Sequence, residues 1–138
     1  MIQFIKFGIV GISNTAINYF IYLIMLNVFE GLQLFREYDY FISAIIAFII
    51  SVLWSFYWNN RFTFKLEKGE KRSFGNALIK TYISYSITGV LLHNLFLYIW
   101  ISKLGISKEL APILNLLFTI PLNFIMNKLW AFKSEKTT

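Results

Sequence analysis

Asparagine side chains lie inside long apolar stretches of this 138-residue chain, where an uncharged amide is costly unless it is hydrogen-bonded. The asparagines of interest are Asn14, Asn18, Asn94, Asn115 and Asn123. Each amide has two donor hydrogens and an acceptor oxygen, so it can bind a polar substrate or a polar group on a neighbouring helix. The spacing therefore leaves two roles open: a polar path through the membrane, or hydrogen bonds that join helices.

Basic side chains stand at the ends of these apolar stretches. Asn60 and Arg61 follow the second stretch, Asn127 and Lys128 follow the fourth, and Lys80 precedes the third. Three cations near one interface can hold a lipid phosphate, and the planar guanidinium of Arg61 can bind two phosphate oxygens at once. The same cations are equally explained as ordinary anchors whose charged ends reach the membrane surface.

Catalytic and metal-binding constellations are not visible in the sequence. The apolar stretches contain no carboxylate, a group that proton-coupled transporters usually place within a helix. We expect His93 to donate a hydrogen bond between helices rather than to relay protons. One histidine and no cysteine cannot supply a metal site, and no nucleophile lies beside a base. The sequence therefore predicts a protein that is not an enzyme and has no cofactor.

The elements that must position these residues are membrane-spanning helices. The composition is 57% hydrophobic and only 14% charged, which argues against a water-soluble enzyme. Four charge-free runs of 18 to 23 residues separate the charged clusters, and a helix needs about 20 residues to cross the hydrocarbon core. We predict an all-α integral membrane protein with one transmembrane domain over 1–138. Its helices are expected at about 7–29, 40–60, 81–102 and 110–127, with a basic cytoplasmic loop at 61–80.

The distribution of lysine and arginine predicts the orientation. Ten of the thirteen basic residues lie at the termini and in the middle loop, so both termini are expected in the cytoplasm. The net charge of +6 then divides into +7 inside and −1 outside. The basic balance is explained by topology and by contact with anionic membrane lipid, and no nucleic-acid partner is predicted. The expected location is the cytoplasmic membrane, as a multi-pass protein.

An internal repeat relates the two halves of the chain. A shift of 68 residues aligns the end of the second predicted helix with the end of the fourth, and it pairs Asn59 with Asn127. The first and third helices align less well, at a shift of 76 that pairs Asn18 with Asn94. Because each repeat holds two helices, the halves are predicted to be parallel, related by an axis along the membrane normal.

The sequence is similar to the GtrA family of small four-helix membrane proteins. The resemblance covers nearly the whole chain. It is carried by Phe7–Gly11, by Asn14 and Asn18, and by two matching helix ends, Asn59–Phe64 and Asn127–Phe132.

The resemblance implies a flippase that moves a polyprenyl-phosphate-linked monosaccharide to the outer leaflet for cell-wall or surface polysaccharide glycosylation. A membrane glycosyltransferase would be its partner, and the alternative is an adaptor that recruits or stabilises such an enzyme without transport. A small ion channel of dual topology is disfavoured by the charge bias. Because four helices make a thin bundle, we expect a homodimer or a larger complex. The predicted substrate-binding residues are Asn14, Asn18, Arg61, Lys80, Asn94, Asn115, Asn123, Asn127 and Lys128.

Overall fold

The computed structural model describes residues 1–108 and 110–136, most of which are helical. There are four long helices: α1 (Ile2–Leu32), α2 (Asp39–Thr63), α3 (Phe74–Lys103) and α4 (residues 111–131). Each is long and apolar enough to cross a membrane. The predicted all-α integral membrane fold with four spans is confirmed.

The helices extend beyond the charge-free runs from which they were predicted. Helix α3 begins at Phe74 rather than at 81, because Ser73 caps it: the Ser73 hydroxyl accepts a hydrogen bond from the backbone N–H of Asn76 at 3.4 Å. The loop between α2 and α3 therefore covers 64–73 instead of 61–80. A charge-free run identifies only the part of a helix that lies in hydrocarbon. The polar turns at the helix ends lie outside the run, so the run does not predict them.

Helices α2 and α4 end in the same uncommon turn. Asn59–Thr63 and Asn127–Ala131 are both π-helical, five residues each, and they correspond under the predicted shift of 68. In each case the residue after the turn donates its N–H to the carbonyl of the first asparagine, at 2.7 and 2.8 Å. Helix α3 also ends in a π-turn, Ile99–Lys103, closed by a bond from the N–H of Leu104 to the carbonyl of Ile99 at 3.1 Å, so what α2 and α4 share beyond the turn is the matching asparagine at its start.

The first compact unit, Met1–Lys65, is a pair formed by α1 and α2. Helix α2 buries the small side chains that recur every fourth residue, Ser43, Ala47, Ser51 and Ser55. Small residues allow two helices to approach closely in a membrane, where apolar side chains have no preference for protein over lipid. We call this unit the first helix pair.

The second compact unit, Leu66–Thr138, is a pair formed by α3 and α4. Helix α3 contains two π-helical segments, Ile87–Leu92 and Ile99–Lys103. The unit also has an antiparallel ladder of two short strands, β1 (Glu70–Lys71) and β2 (Glu135–Lys136), which the sequence did not predict. The ladder joins the start of this second helix pair to the segment that follows α4.

The burial pattern of α1 and α3 favours a different alignment from the predicted one. Helix α1 buries Phe7 and Val10, and helix α3 buries Thr81 and Ser84, which correspond at a shift of 74 rather than 76. The predicted shift would match Phe7 with Ile83, which is 41% exposed. The shift of 76 rests on three pairs of identical residues in apolar sequence, where such matches are common by chance.

The predicted orientation can be tested with single cysteines, because the chain contains none. A cysteine replacing Lys68, which is exposed in the middle loop, is expected to react with a membrane-impermeant thiol reagent only after the cells are permeabilised. A cysteine replacing Glu37, exposed in the first loop, should react in intact cells. Lys68 is preferred over Ser73 because Ser73 caps α3. Labelling of both variants in intact cells would overturn the topology.

Candidate functional site

Each helix pair places a lysine over an aromatic ring at its predicted cytoplasmic end. The Nζ atom of Lys6 lies 4.6 Å from the centre of the Phe62 ring, and that of Lys80 lies 5.6 Å from the centre of the Trp130 ring. Phe62 and Trp130 correspond under the repeat. Such a contact contributes about 0.5–1 kcal/mol at an exposed site. Sequence reasoning singled out Lys80 but missed the corresponding role of Lys6.

The other two predicted phosphate ligands are exposed at the ends of α2 and α4. Arg61 donates from Nη1 to the hydroxyl of Tyr57 at 3.4 Å. The Nζ atom of Lys128 lies 5.6 Å from the centre of the Phe124 ring, one turn earlier on its own helix. Arg61 belongs to the first pair, and Lys80 and Lys128 belong to the second, so a phosphate site shared by all three stays a prediction.

In the first pair, Asn18 joins the two helices. Its side-chain nitrogen donates to the hydroxyl of Ser51 at 3.1 Å, which is the structural role that the sequence left open. Asn14 lies one turn earlier, and its Oδ1 atom is buried with no hydrogen-bond partner among the described residues. A buried acceptor without a donor costs about 1–3 kcal/mol. Asn14 is therefore suited to accept a hydrogen bond from an added ligand.

In the second pair, Asn115 is fully buried and holds His93. Its Nδ2 atom lies 2.9 Å from both the backbone oxygen and the Nδ1 atom of His93. If the Asn115 amide were flipped, its oxygen would lie against the backbone oxygen of His93, and two acceptors would face each other. Nδ2 therefore donates to that oxygen, and its second hydrogen is donated to Nδ1 of His93, which accepts. With Nδ1 as the acceptor, the ring N–H lies on Nε2. His93 therefore makes a hydrogen bond between helices, as an acceptor at Nδ1 rather than as the donor that the sequence predicts.

The remaining predicted amides fall into two groups. Asn94 is exposed, and its side chain donates to the carbonyl of Val90 in its own helix at 2.7 Å. Asn123 is half-buried, and its backbone and side-chain oxygens accept from Nδ2 of Asn127 at 2.8 and 2.9 Å. Asn127 itself is fully buried, with an Oδ1 atom that has no partner in the described structure. Asn127 thus belongs to the helix-ending turn.

A cleft of about 390 Å³ opens at the start of α3 in the second pair. The charged and amide residues that line it are Lys71, Arg72, Asn76, Lys80, Lys133 and Glu135. Only Lys80 was predicted as a site residue, and Lys128 is not among the lining residues. The other cations of the cleft were interpreted from the sequence as a signal of membrane topology. The order of residues along the chain gives no sign that the middle loop and the C-terminal segment meet.

Arg72 forms the wall of this cleft by binding the end of α4. Its Nη1 atom donates to the carbonyl of Phe132 at 2.6 Å, and its guanidinium carbon lies 5.1 Å from the centre of the Phe132 ring. Burial lowers the pKa of Arg72, and the nearby carboxylate of Glu70 raises the pKa by a smaller amount. The guanidinium stays charged near neutral pH, because an arginine titrates far above that range.

These features define a small multi-pass membrane protein made of two similar helix pairs. A family model described as "GtrA/DPMS, transmembrane domain" matches residues 6–132. Because the match covers nearly all of the chain, the protein belongs to this family, as the resemblance predicted. The family is tied to polyprenyl-phosphate sugars, and its members are generally non-catalytic membrane proteins. A search of curated proteins finds no match to the chain.

Proposed function

We propose that this protein is a flippase that moves a polyprenyl-phosphate-linked monosaccharide from the cytoplasmic to the outer leaflet of the cytoplasmic membrane. The sugar would then serve cell-wall or surface polysaccharide glycosylation. The family relation supports the substrate class. The observation that carries the proposal is a set of buried amide oxygens without a hydrogen-bond donor among the described residues: those of Asn14, Asn59, Asn115 and Asn127.

Unsatisfied acceptors suit a sugar, because each sugar hydroxyl is a hydrogen-bond donor. A headgroup that crosses the hydrocarbon alone loses its bonds to water, and this loss forms the barrier to crossing. Amide oxygens along the helices replace some of those bonds, while the polyprenyl tail stays in lipid. In the proposal, Asn14, Asn18, Asn94, Asn115, Asn123 and Asn127 contact the sugar. Arg61, Lys80 and Lys128 hold the phosphate, and the chain itself performs no covalent step.

Purified protein in lipid vesicles should move the lipid-linked sugar faster than empty vesicles do. Replacing Asn14 with alanine is expected to slow the movement about tenfold, because one hydrogen bond to the substrate is lost. The same change removes a buried oxygen that has no partner, so the variant should be at least as stable as the wild type. Slower transport without lost stability distinguishes a substrate contact from a structural one.

Asn27→Ala is the matched control, because Asn27 is exposed on the same helix and donates to the Leu23 carbonyl at 2.8 Å. This variant should transport normally. Asn18→Ala and Asn123→Ala should also impair movement while binding to a glycosyltransferase is retained. No movement above that of empty vesicles would reject the flippase.

The alternative function is an adaptor that recruits or stabilises a polyprenyl-phosphate glycosyltransferase. One observation favours it: a Cβ atom added at Gly8 or Gly11 would meet no atom outside the adjoining backbone of α1 within 4 Å. These glycines therefore are not required for packing within the first pair, and their flat face suits a helix of another protein. The adaptor is favoured if Gly11→Leu abolishes co-purification with the glycosyltransferase and the wild type shows no transport.

A further inference from the structure

We propose that the cationic cleft of the second helix pair binds a phosphomonoester, with about two negative charges, in preference to a phosphodiester with one. The phosphomonoester would belong to a lipid or to soluble phosphate. The inference rests on the proposed function only in naming the natural ligand, which would be the unloaded polyprenyl phosphate.

The charge of the cleft favours the more highly charged ligand. Lys71, Arg72, Lys80 and Lys133 line it together with a single carboxylate, that of Glu135, which gives a net charge of +3. A polyprenyl-phosphate sugar is a diester with one negative charge. A polyprenyl phosphate without its sugar is a monoester that carries about −1.5 to −2 near neutral pH. Because Coulomb energy scales with the charge, the monoester gains nearly twice the attraction.

The backbone holds these cations in place. Lys71 is opposite Glu135 in the β1–β2 ladder, so the middle loop and the C-terminal segment are joined at the cleft. Arg72 is already bound to Phe132, which leaves it as a fixed wall rather than a mobile ligand. Lys71 and Lys133 are exposed, and their side chains are available to close on an anion. The volume of about 390 Å³ exceeds that of a phosphate group alone, so part of a headgroup can enter.

The surroundings of the cleft suit the depth of lipid phosphates. Trp130 is 40% exposed beneath Lys80, and Phe74 is 63% exposed at the first turn of α3. Aromatic side chains of this kind anchor helix ends at the membrane–water interface. The predicted topology places this end of the second pair on the cytoplasmic side. A carrier that has delivered its sugar would be held there until a glycosyltransferase reloads it.

The test compares two lipids that share acyl chains and differ in headgroup: phosphatidic acid, a phosphomonoester, and phosphatidylglycerol, a phosphodiester. Each is mixed at the same fraction into phosphatidylcholine nanodiscs with the purified protein, and bound lipid is measured by native mass spectrometry at pH 8. Several-fold greater retention of phosphatidic acid is expected. Equal retention of the two lipids would overturn the proposal.

Matched variants assign the preference to the cleft. The double variant Lys71→Gln/Lys133→Gln should weaken phosphatidic acid binding by roughly fivefold for each lysine removed. Lys65→Gln/Lys68→Gln loses the same charge from exposed positions outside the cleft and should bind normally. Glu135→Gln should tighten binding by a similar factor, a gain that a folding defect cannot produce. Equal loss in both double variants would overturn the assignment.

Two further measurements test, first, whether the preference depends on the charge of the ligand and, second, whether the ligand is a lipid or a soluble phosphate. The preference should disappear as the pH falls from 8 to 5, because a phosphomonoester gains a proton near pH 6 while lysines stay charged. A preference that persists at pH 5 contradicts the proposal. If millimolar inorganic phosphate displaces phosphatidic acid, the ligand is a soluble phosphate; if the lipid is retained, it is a lipid.

The binding assay involves no transport, so the cleft and the flippase are tested independently. If the protein binds phosphatidic acid selectively but transports no lipid-linked sugar, only the flippase proposal is rejected. If the protein transports the sugar but binds both lipids equally, only the proposed ligand preference of the cleft is rejected.

Discussion

Replacing Asn127 with aspartate is expected to lower the free energy of unfolding by at least about 3 kcal/mol, or to prevent the protein from accumulating. Asn127 is fully buried, and its Nδ2 atom donates to two oxygens of Asn123. Aspartate has the same shape but only acceptor oxygens when it is ionised. The backbone carbonyl of Asn123 cannot donate, so the new carboxylate would lie against an acceptor with no water to solvate it.

The repeat supplies the matched comparison. Asn59 is the equivalent residue of the first pair, and it is also fully buried, but its Nδ2 atom donates to the hydroxyl of Ser55 at 3.1 Å. A hydroxyl can rotate and donate to a carboxylate. Asn59→Asp should therefore cost clearly less than Asn127→Asp. Titration with sodium dodecyl sulfate, followed by tryptophan fluorescence, measures both. Equal losses of unfolding free energy in the two variants would show that the hydrogen-bond partner of the asparagine does not determine the cost of the aspartate.

Replacing Asn115 with alanine is expected to lower the free energy of unfolding by about 2 kcal/mol. The variant loses both contacts to His93, at 2.9 Å each, and leaves the Nδ1 acceptor of the half-buried His93 ring without its donor. Hydrogen bonds between helices in a bilayer usually contribute less, about 0.6 kcal/mol each. The estimate of about 2 kcal/mol is larger because it adds two costs. The His93 imidazole loses its hydrogen-bond donor, and removing the fully buried Asn115 side chain leaves a cavity.

Asn94→Ala is the control for this experiment. Asn94 is exposed and bonds only a carbonyl of its own helix, so its loss should change stability by less than about 0.5 kcal/mol. Nitrogen-15 NMR of the His93 ring gives a second readout. The wild type should carry its proton on Nε2, and the Asn115 variant should show a mixture of tautomers. Unchanged stability and an unchanged tautomer would refute the assigned contact.

The number and class of the helices follow from the sequence because burying charge in hydrocarbon is so costly that charge-free runs mark the spans. The helix ends are less well predicted. The Ser73 cap starts α3 before its charge-free run, and the π-turn Asn59–Thr63 extends α2 past the end of its own run at Asn60. Both features depend on backbone hydrogen bonds at the interface, where hydropathy carries little information.

The sequence predicts the buried amides of the candidate site but not the cationic cleft. The amides of Asn18 and Asn115 stand out in the sequence because they are rare in apolar surroundings, and both lie between helices. The sequence could not identify their partners, which are distant along the chain. The cleft escaped prediction because Lys71 and Lys133 look like ordinary surface cations until the β1–β2 ladder brings their segments together.

That ladder also has an evolutionary consequence. Paired strands lie about 5 Å apart, so Glu70 and Lys136, which are partners in the ladder, place the two ends of the second helix pair side by side. A structural unit whose ends adjoin can be copied in tandem, inserted into another gene or circularly permuted with little strain. The second pair therefore meets the geometric condition for being moved or copied as a unit.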